Sequence, residues 1–120
     1  MIALQSALMR AVGEFGADPR FAPLRERVLA TAAALDYVLM LVSGAAGTRI
    51  LERDAERAIR DGIARAVDDL IAAATAIAKI GTPKARAFAR ETAKALHDAV
   101  HAEHLATEER RFALIALANP

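Results

Sequence analysis

The sequence predicts an all-α chain: an antiparallel bundle of four helical segments, built as a single domain over residues 1–120. Aromatic content is only 4% and tryptophan is absent, while alanine is threaded between leucine, isoleucine and valine, the usage of closely packed helices rather than pleated sheets. Apolar residues recur at spacings of three and four, the helical period. Glycine and proline collect at a few places and divide the chain there. At 120 residues a real core can be buried, near the size where a partner subunit often completes it.

The first segment runs from about Ile2 to Phe15, with Leu4, Leu8, Ala11 and Phe15 on one stripe. Gln5, Arg10 and Glu14 interrupt its apolar character, which argues against a targeting segment. The connector GADPRFAP follows, and its Pro23 suits the first turn of a helix, where a missing N–H is not needed.

The second segment, about Pro23 to Ser43, is apolar on two sides. Leu24, Val28, Leu35, Leu39 and Val42 form one stripe; Ala30, Ala33, Ala34, Met40 and Leu41 form the other. A helix of this kind needs cover on both sides, and a second copy of the chain is the expected source of part of it. Its most apolar stretch, Val28 to Val42, is shorter than the roughly 20 residues a bilayer requires and carries Asp36. No integral membrane association is expected. Asp36 itself needs a donor or solvent, and a structural hydrogen bond is the expected outcome.

The third segment spans about Thr48 to Ile80, weakened only at Gly62, and the fourth about Pro83 to Ala118. Between them, IGTPK supplies a glycine stop at Gly81, a capping hydroxyl at Thr82 and a first-turn proline at Pro83. So short a turn predicts a helix hairpin, residues 48–80 against 83–118, with arms about 50 Å long. The expected meeting stripes are Ile59, Ile63, Ala66, Leu70 and Ile77 with Ala85, Ala89, Leu96 and Val100. The first two segments then lie end to end as a third strand or fold back as a pair over the hairpin.

Charge excludes several functions. Sixteen basic residues against fifteen acidic give +1, with the signs interleaved, so no nucleic-acid footprint is visible. The absence of cysteine excludes disulfides, a thiol nucleophile and thiolate metal sites, and makes the cytoplasm the expected compartment. In the third segment Asp54, Asp61 and Asp68 share a face with Arg57 and Arg65, which reads as a solvated ion-pair ladder. The stretch GAAGTRILERDAERAIRDG, residues 44–62, resembles the Gly-then-Glu-Arg rhythm in the carboxyl-terminal helical domain of acyl-CoA dehydrogenases. The likeness goes no further along the chain and assigns no function.

Two stretches are candidate sites. In SGAAGTR, glycines precede a helix, and the N–H groups there with Thr48 and Arg49 form a candidate anion site, although the Lys-Ser/Thr ending of a phosphate loop is missing. LHDAVHAEHLATEER contains all three histidines. On one continuous helix His97, His101, His104 and Glu108 fall within an arc of about 60°, with Arg86, Arg90 and Arg111 extending the stripe. Imidazoles at this spacing with a carboxylate can share zinc or a similar divalent metal. The arginines oppose a cation and favour an anion instead. Glu103, Thr107 and Arg110 sit where the core stripe of that helix would continue, as a polar interruption.

The enzyme inventory is thin: Ser6 and Ser43 are the only serines, and neither lies in a nucleophile motif. The leading expectation is a non-catalytic helical interaction or assembly module that self-associates, needs no cofactor and meets itself or another protein through Ala33, Met40, Leu41, Phe112 and Ile115. The alternative is a metal- or small-ligand-binding bundle, an enzyme in one version, centred on His97, His101, His104 and Glu108.

Overall fold

The computed structural model describes residues 2–45, 52–102 and 104–119. They form five helices, α1 (Ile2–Phe15), α2 (Ala22–Ala45), α3 (Glu52–Ala78), α4 (Pro83–Ala102) and α5 (Glu108–Ala118), with no strand among the described residues. Thr48 and Arg49, the candidate anion site, lie outside the described residues, as does Glu103.

α3 is the central helix and touches each of the other four. α1 folds back on α2 and also packs on α3 and α4, so the first two segments form a pair rather than one broken strand. The predicted stripe of α1 is buried throughout at Leu4, Leu8, Ala11 and Phe15. Ile63, Ala66, Leu70 and Ile77 of α3 meet the buried Ala85, Ala89, Leu96 and Val100 of α4 in one core, joined by Val28 and Leu35 of α2. No helix among the described residues is long and apolar enough to cross a membrane.

Local chemistry sets the connections. Asp18 organises the α1–α2 turn: its Oδ1 accepts from the Arg20 N–H at 2.8 Å, and its carbonyl accepts from the Phe21 and Ala22 N–H groups at 3.0 and 2.8 Å. Arg20 then donates to the Lys79 carbonyl at 2.9 Å, satisfying a group left unpaired at the end of α3. Phe21 is fully buried and anchors the turn. At the other connection Gly81 adopts φ 80°, a left-handed stop that costs glycine little. The Thr82 hydroxyl accepts from the Ala85 N–H at 3.1 Å and starts α4, as its sequence predicts.

Polar side chains tie the layers together. Gln5 of α1 donates to Asp36 of α2 at 2.5 Å, which gives the carboxylate its partner. Asp69 is buried in α3, where it accepts from the Thr31 hydroxyl and, at 2.5 Å, from the Arg27 guanidinium of α2. Phe15 and Phe88 meet edge to face at 5.4 Å, and Arg10 lies over the Phe88 ring at 5.2 Å while donating to Glu91 at 2.9 Å.

The second arm of the hairpin departs from expectation. The predicted helix over 83–118 is two helices, because α4 ends at Ala102 and α5 begins at Glu108. A straight helix would carry Glu103 and Thr107 onto the buried stripe that runs through Leu96 and Val100, an unfavourable burial of polar groups. The chain turns instead at His104, φ 54°, and the Leu105 N–H bonds to the Val100 carbonyl at 2.9 Å. Leu105 is thereby buried in place of the polar residues. Thr107 caps α5 by accepting from the Arg110 N–H at 3.2 Å, and Glu108 and Glu109 complement the positive end of the helix dipole.

The ladder on α3 is also different from its expected form at Asp61 and Asp68, the Asp54 side chain lying outside the described residues. Among the described residues no ion pair forms within α3; Asp68 pairs instead with Arg110 of α5. Local spacing favours such pairs only weakly, and the bidentate Arg110 takes Asp68 out of the ladder.

Candidate functional site

The break after α4 creates the principal site. With Leu114 and Leu117 buried, α5 packs against α4 and α3 and leaves a groove of about 480 Å³ between α4 and α5. Its apolar surface comes from Ala93 and Val100 of α4, Ala106 of the turn, and Leu114, Ile115 and Ala118 of α5.

Cationic and imidazole groups complete the lining. Arg90, Lys94, His97 and His101 follow one another on α4 at spacings of four, three and four, which aligns them along one helix face. Arg111 faces them from α5. No carboxylate lines the groove among the described residues. The His97 and His101 rings meet edge to face, 4.4 Å between centroids and 61° between planes. His97 Nδ1 also lies 3.7 Å from the exposed Asp98 carboxylate.

Of the predicted metal set, only His97 and His101 come together. His104 occupies the turn and is exposed, while Glu108 heads α5 and lines a different groove, with Asp68, Thr107, Glu109 and Arg110. The expected arc of four depended on an unbroken helix, and that helix is broken. Among the described residues, no group of three or more His, Asp, Glu or Cys side chains is placed to hold a metal. His97 and His101 remain as a pair of imidazoles among fixed positive charges.

Of the predicted interface residues Ile115 lines the groove, and the others described lie outside it. On α2, Ala33 is exposed and Met40 is 66% exposed; on α5, Phe112 and Ile115 are 65% and 61% exposed. The side chain of Leu41 lies outside the described residues. Tyr37, one turn before Met40, is 58% exposed and extends the α2 patch.

Lys94 was missed by the sequence reading although it stands four residues after Arg90 and three before His97. Its helical spacing carried the signal. The apolar wall opposite it was not readable from periodicity, because it exists only once α5 turns back. A signal for that turn was present in Thr107-Glu108-Glu109, a capping hydroxyl followed by first-turn acids.

No protein-family model, curated protein or solved structure matches this chain.

Proposed function

We propose that the protein is a non-catalytic helical assembly module that self-associates through the outer faces of α2 and α5. The observation that supports this reading best is the exposure of large apolar side chains on both helices: Met40, Phe112 and Ile115 are each more than 60% open to solvent. Scattered apolar residues are ordinary on a surface, but Tyr37 with Met40 and Phe112 with Ile115 occupy single faces of their helices, as association surfaces do. Self-association buries them and supplies the second-side cover that α2 requires. The absence of cysteine supports placing this work in the cytoplasm.

Analytical ultracentrifugation of the chain and of a Met40→Glu/Phe112→Glu variant tests the proposal. An oligomer that dissociates in the folded variant is the expected result. A monomeric parent chain, or a variant of unchanged size, refutes it.

A second reading, small-ligand binding, is favoured by the α4–α5 groove. Its volume falls within the range of small-molecule sites, roughly 300–1,000 Å³, which are mostly apolar with a few convergent polar groups. Among the described residues no serine, threonine or cysteine side chain lines the groove, and this second reading is one of ligand binding.

A further inference from the structure

We propose that the α4–α5 groove binds a free carboxylate-headed amphiphile, a fatty-acid-like anion whose aliphatic tail lies on the apolar surface and whose head meets the cationic lining. This inference rests on the ligand-binding reading above; it shares Ile115 with the proposed association face, and each is read by its own measurement.

Charge and shape select the occupant together. Arg90, Lys94 and Arg111 bring three formal positive charges to one groove, and among the described residues no carboxylate lines it. The whole chain carries only +1, so the excess is local. An anion entering the groove gains charge-assisted hydrogen bonds from guanidinium and ammonium groups that otherwise repel one another. A divalent cation meets the opposite field.

The remainder of the lining calls for an apolar body. The apolar lining is open at Ile115 and Ala118 and backed by the buried Ala93, Val100 and Leu114; a small hydrophilic anion such as phosphate leaves its open part wet, whereas an alkyl chain removes that part from water at about 25 cal/mol per Å². A second copy is a poorer occupant. Groove-on-groove docking about a two-fold axis would set the same cations against each other. The His97 and His101 rings line the same groove and report its occupancy, because the chain contains only three histidines.

The test is isothermal titration of the full chain with dodecanoate below its micelle concentration, with dodecanol, dodecyltrimethylammonium and butyrate as controls. One dodecanoate per chain is expected, with Kd in the range of about 1–100 μM. Dodecanol, lacking the charge, and butyrate, lacking the tail, should each bind about tenfold more weakly or worse. Lys94→Glu/Arg111→Glu, two exposed positions whose substitution leaves the core intact, should weaken dodecanoate by about tenfold or more while the helical circular dichroism is unchanged. In parallel, dodecanoate should shift the imidazole NMR signals of His97 and His101 more than that of His104.

Unsaturable uptake, equal affinity for dodecyltrimethylammonium, or undiminished affinity in the charge-reversed variant overturns the proposal. So does binding to anionic phospholipid vesicles without binding to free dodecanoate, which would identify a membrane surface as the partner. The failure of self-association is read by sedimentation of the unliganded chain, so the two proposals fall separately.

Discussion

Arg110 of α5 grips Asp68 of α3 in a two-pronged pair, Nε to Oδ1 at 2.9 Å and Nη2 to Oδ2 at 3.0 Å, while its Nη1 donates to the Leu105 carbonyl at 2.8 Å. One side chain thus holds the start of α5 both to the central helix and to the turn that precedes it. The hydrogen bond to Asp68 raises the Arg110 pKa above its ordinary value, against the opposing effect of burial.

Replacing Arg110 by alanine should therefore loosen α5 more than the rest of the protein. Asp68 is half exposed, so the pair itself contributes only about 1 kcal/mol, and the unpaired Leu105 carbonyl adds a comparable amount. Amide hydrogen exchange should accelerate in residues 108–118 while α1 and α3 keep their protection. Uniform acceleration across all five helices would contradict this assignment.

The cap at Thr107 acts on the same element from within. Thr107→Ala removes the acceptor for the Arg110 N–H and should cost about 1 kcal/mol, whereas Thr107→Asp should be nearly neutral because aspartate caps as well. Urea denaturation midpoints of the two variants check the pair. Equal loss in both would show that something other than capping is at work.

Gly62 marks a close approach of two helices. A Cβ at this position would lie 2.8 Å from Cγ2 of the buried Val38, whose branched side chain has little freedom to move. Gly62→Ala should destabilise by about 1 kcal/mol, although alanine is favoured over glycine by a similar amount in an unobstructed helix. In a Val38→Ala background the same substitution should become neutral or stabilising. A double-mutant cycle by urea unfolding measures the coupling, and additive effects would exclude the steric account.

Asp69 tests the polar link between α2 and α3. Asp69→Ala strands the buried Thr31 hydroxyl and frees Arg27, so a loss of about 2 kcal/mol is expected. Arg27→Lys should cost less than this, because a single ammonium replaces the guanidinium while the carboxylate and the threonine remain paired. The two unfolding free energies, compared directly, decide whether the carboxylate or the cation is the more important member.

Much of the core was legible because burial follows period. Leu4, Leu8, Ala11 and Phe15 lie on one helical stripe, and a stripe on a short amphipathic helix has only one sensible direction to face. Asp69 was not legible in the same way. Helical spacing sets Asp68 opposite the core stripe and Asp69 at its edge, beside Ala66 and Ala73, where either solvent or a partner could satisfy it; α2 decides, by bringing Arg27 and Thr31 to it, while Asp68 is left for α5.

What the sequence by itself determined is the all-helical class, the Gly81-Thr82-Pro83 turn and the core stripes of α1, α3 and α4, because each depends on spacing and on the preferences of a few adjacent residues. Only the tertiary structure decided that α1 folds back on α2, that the helix after Pro83 breaks at His104, and that His97 and His101 face Arg111 across a groove while Glu108 faces elsewhere. The physical reason is that a continuous helix and a broken one differ little in local energy over these few residues. Burial of Leu105, Leu114 and Leu117, together with the reach of Arg110 to Asp68, selects between them, and those partners are distant in the chain.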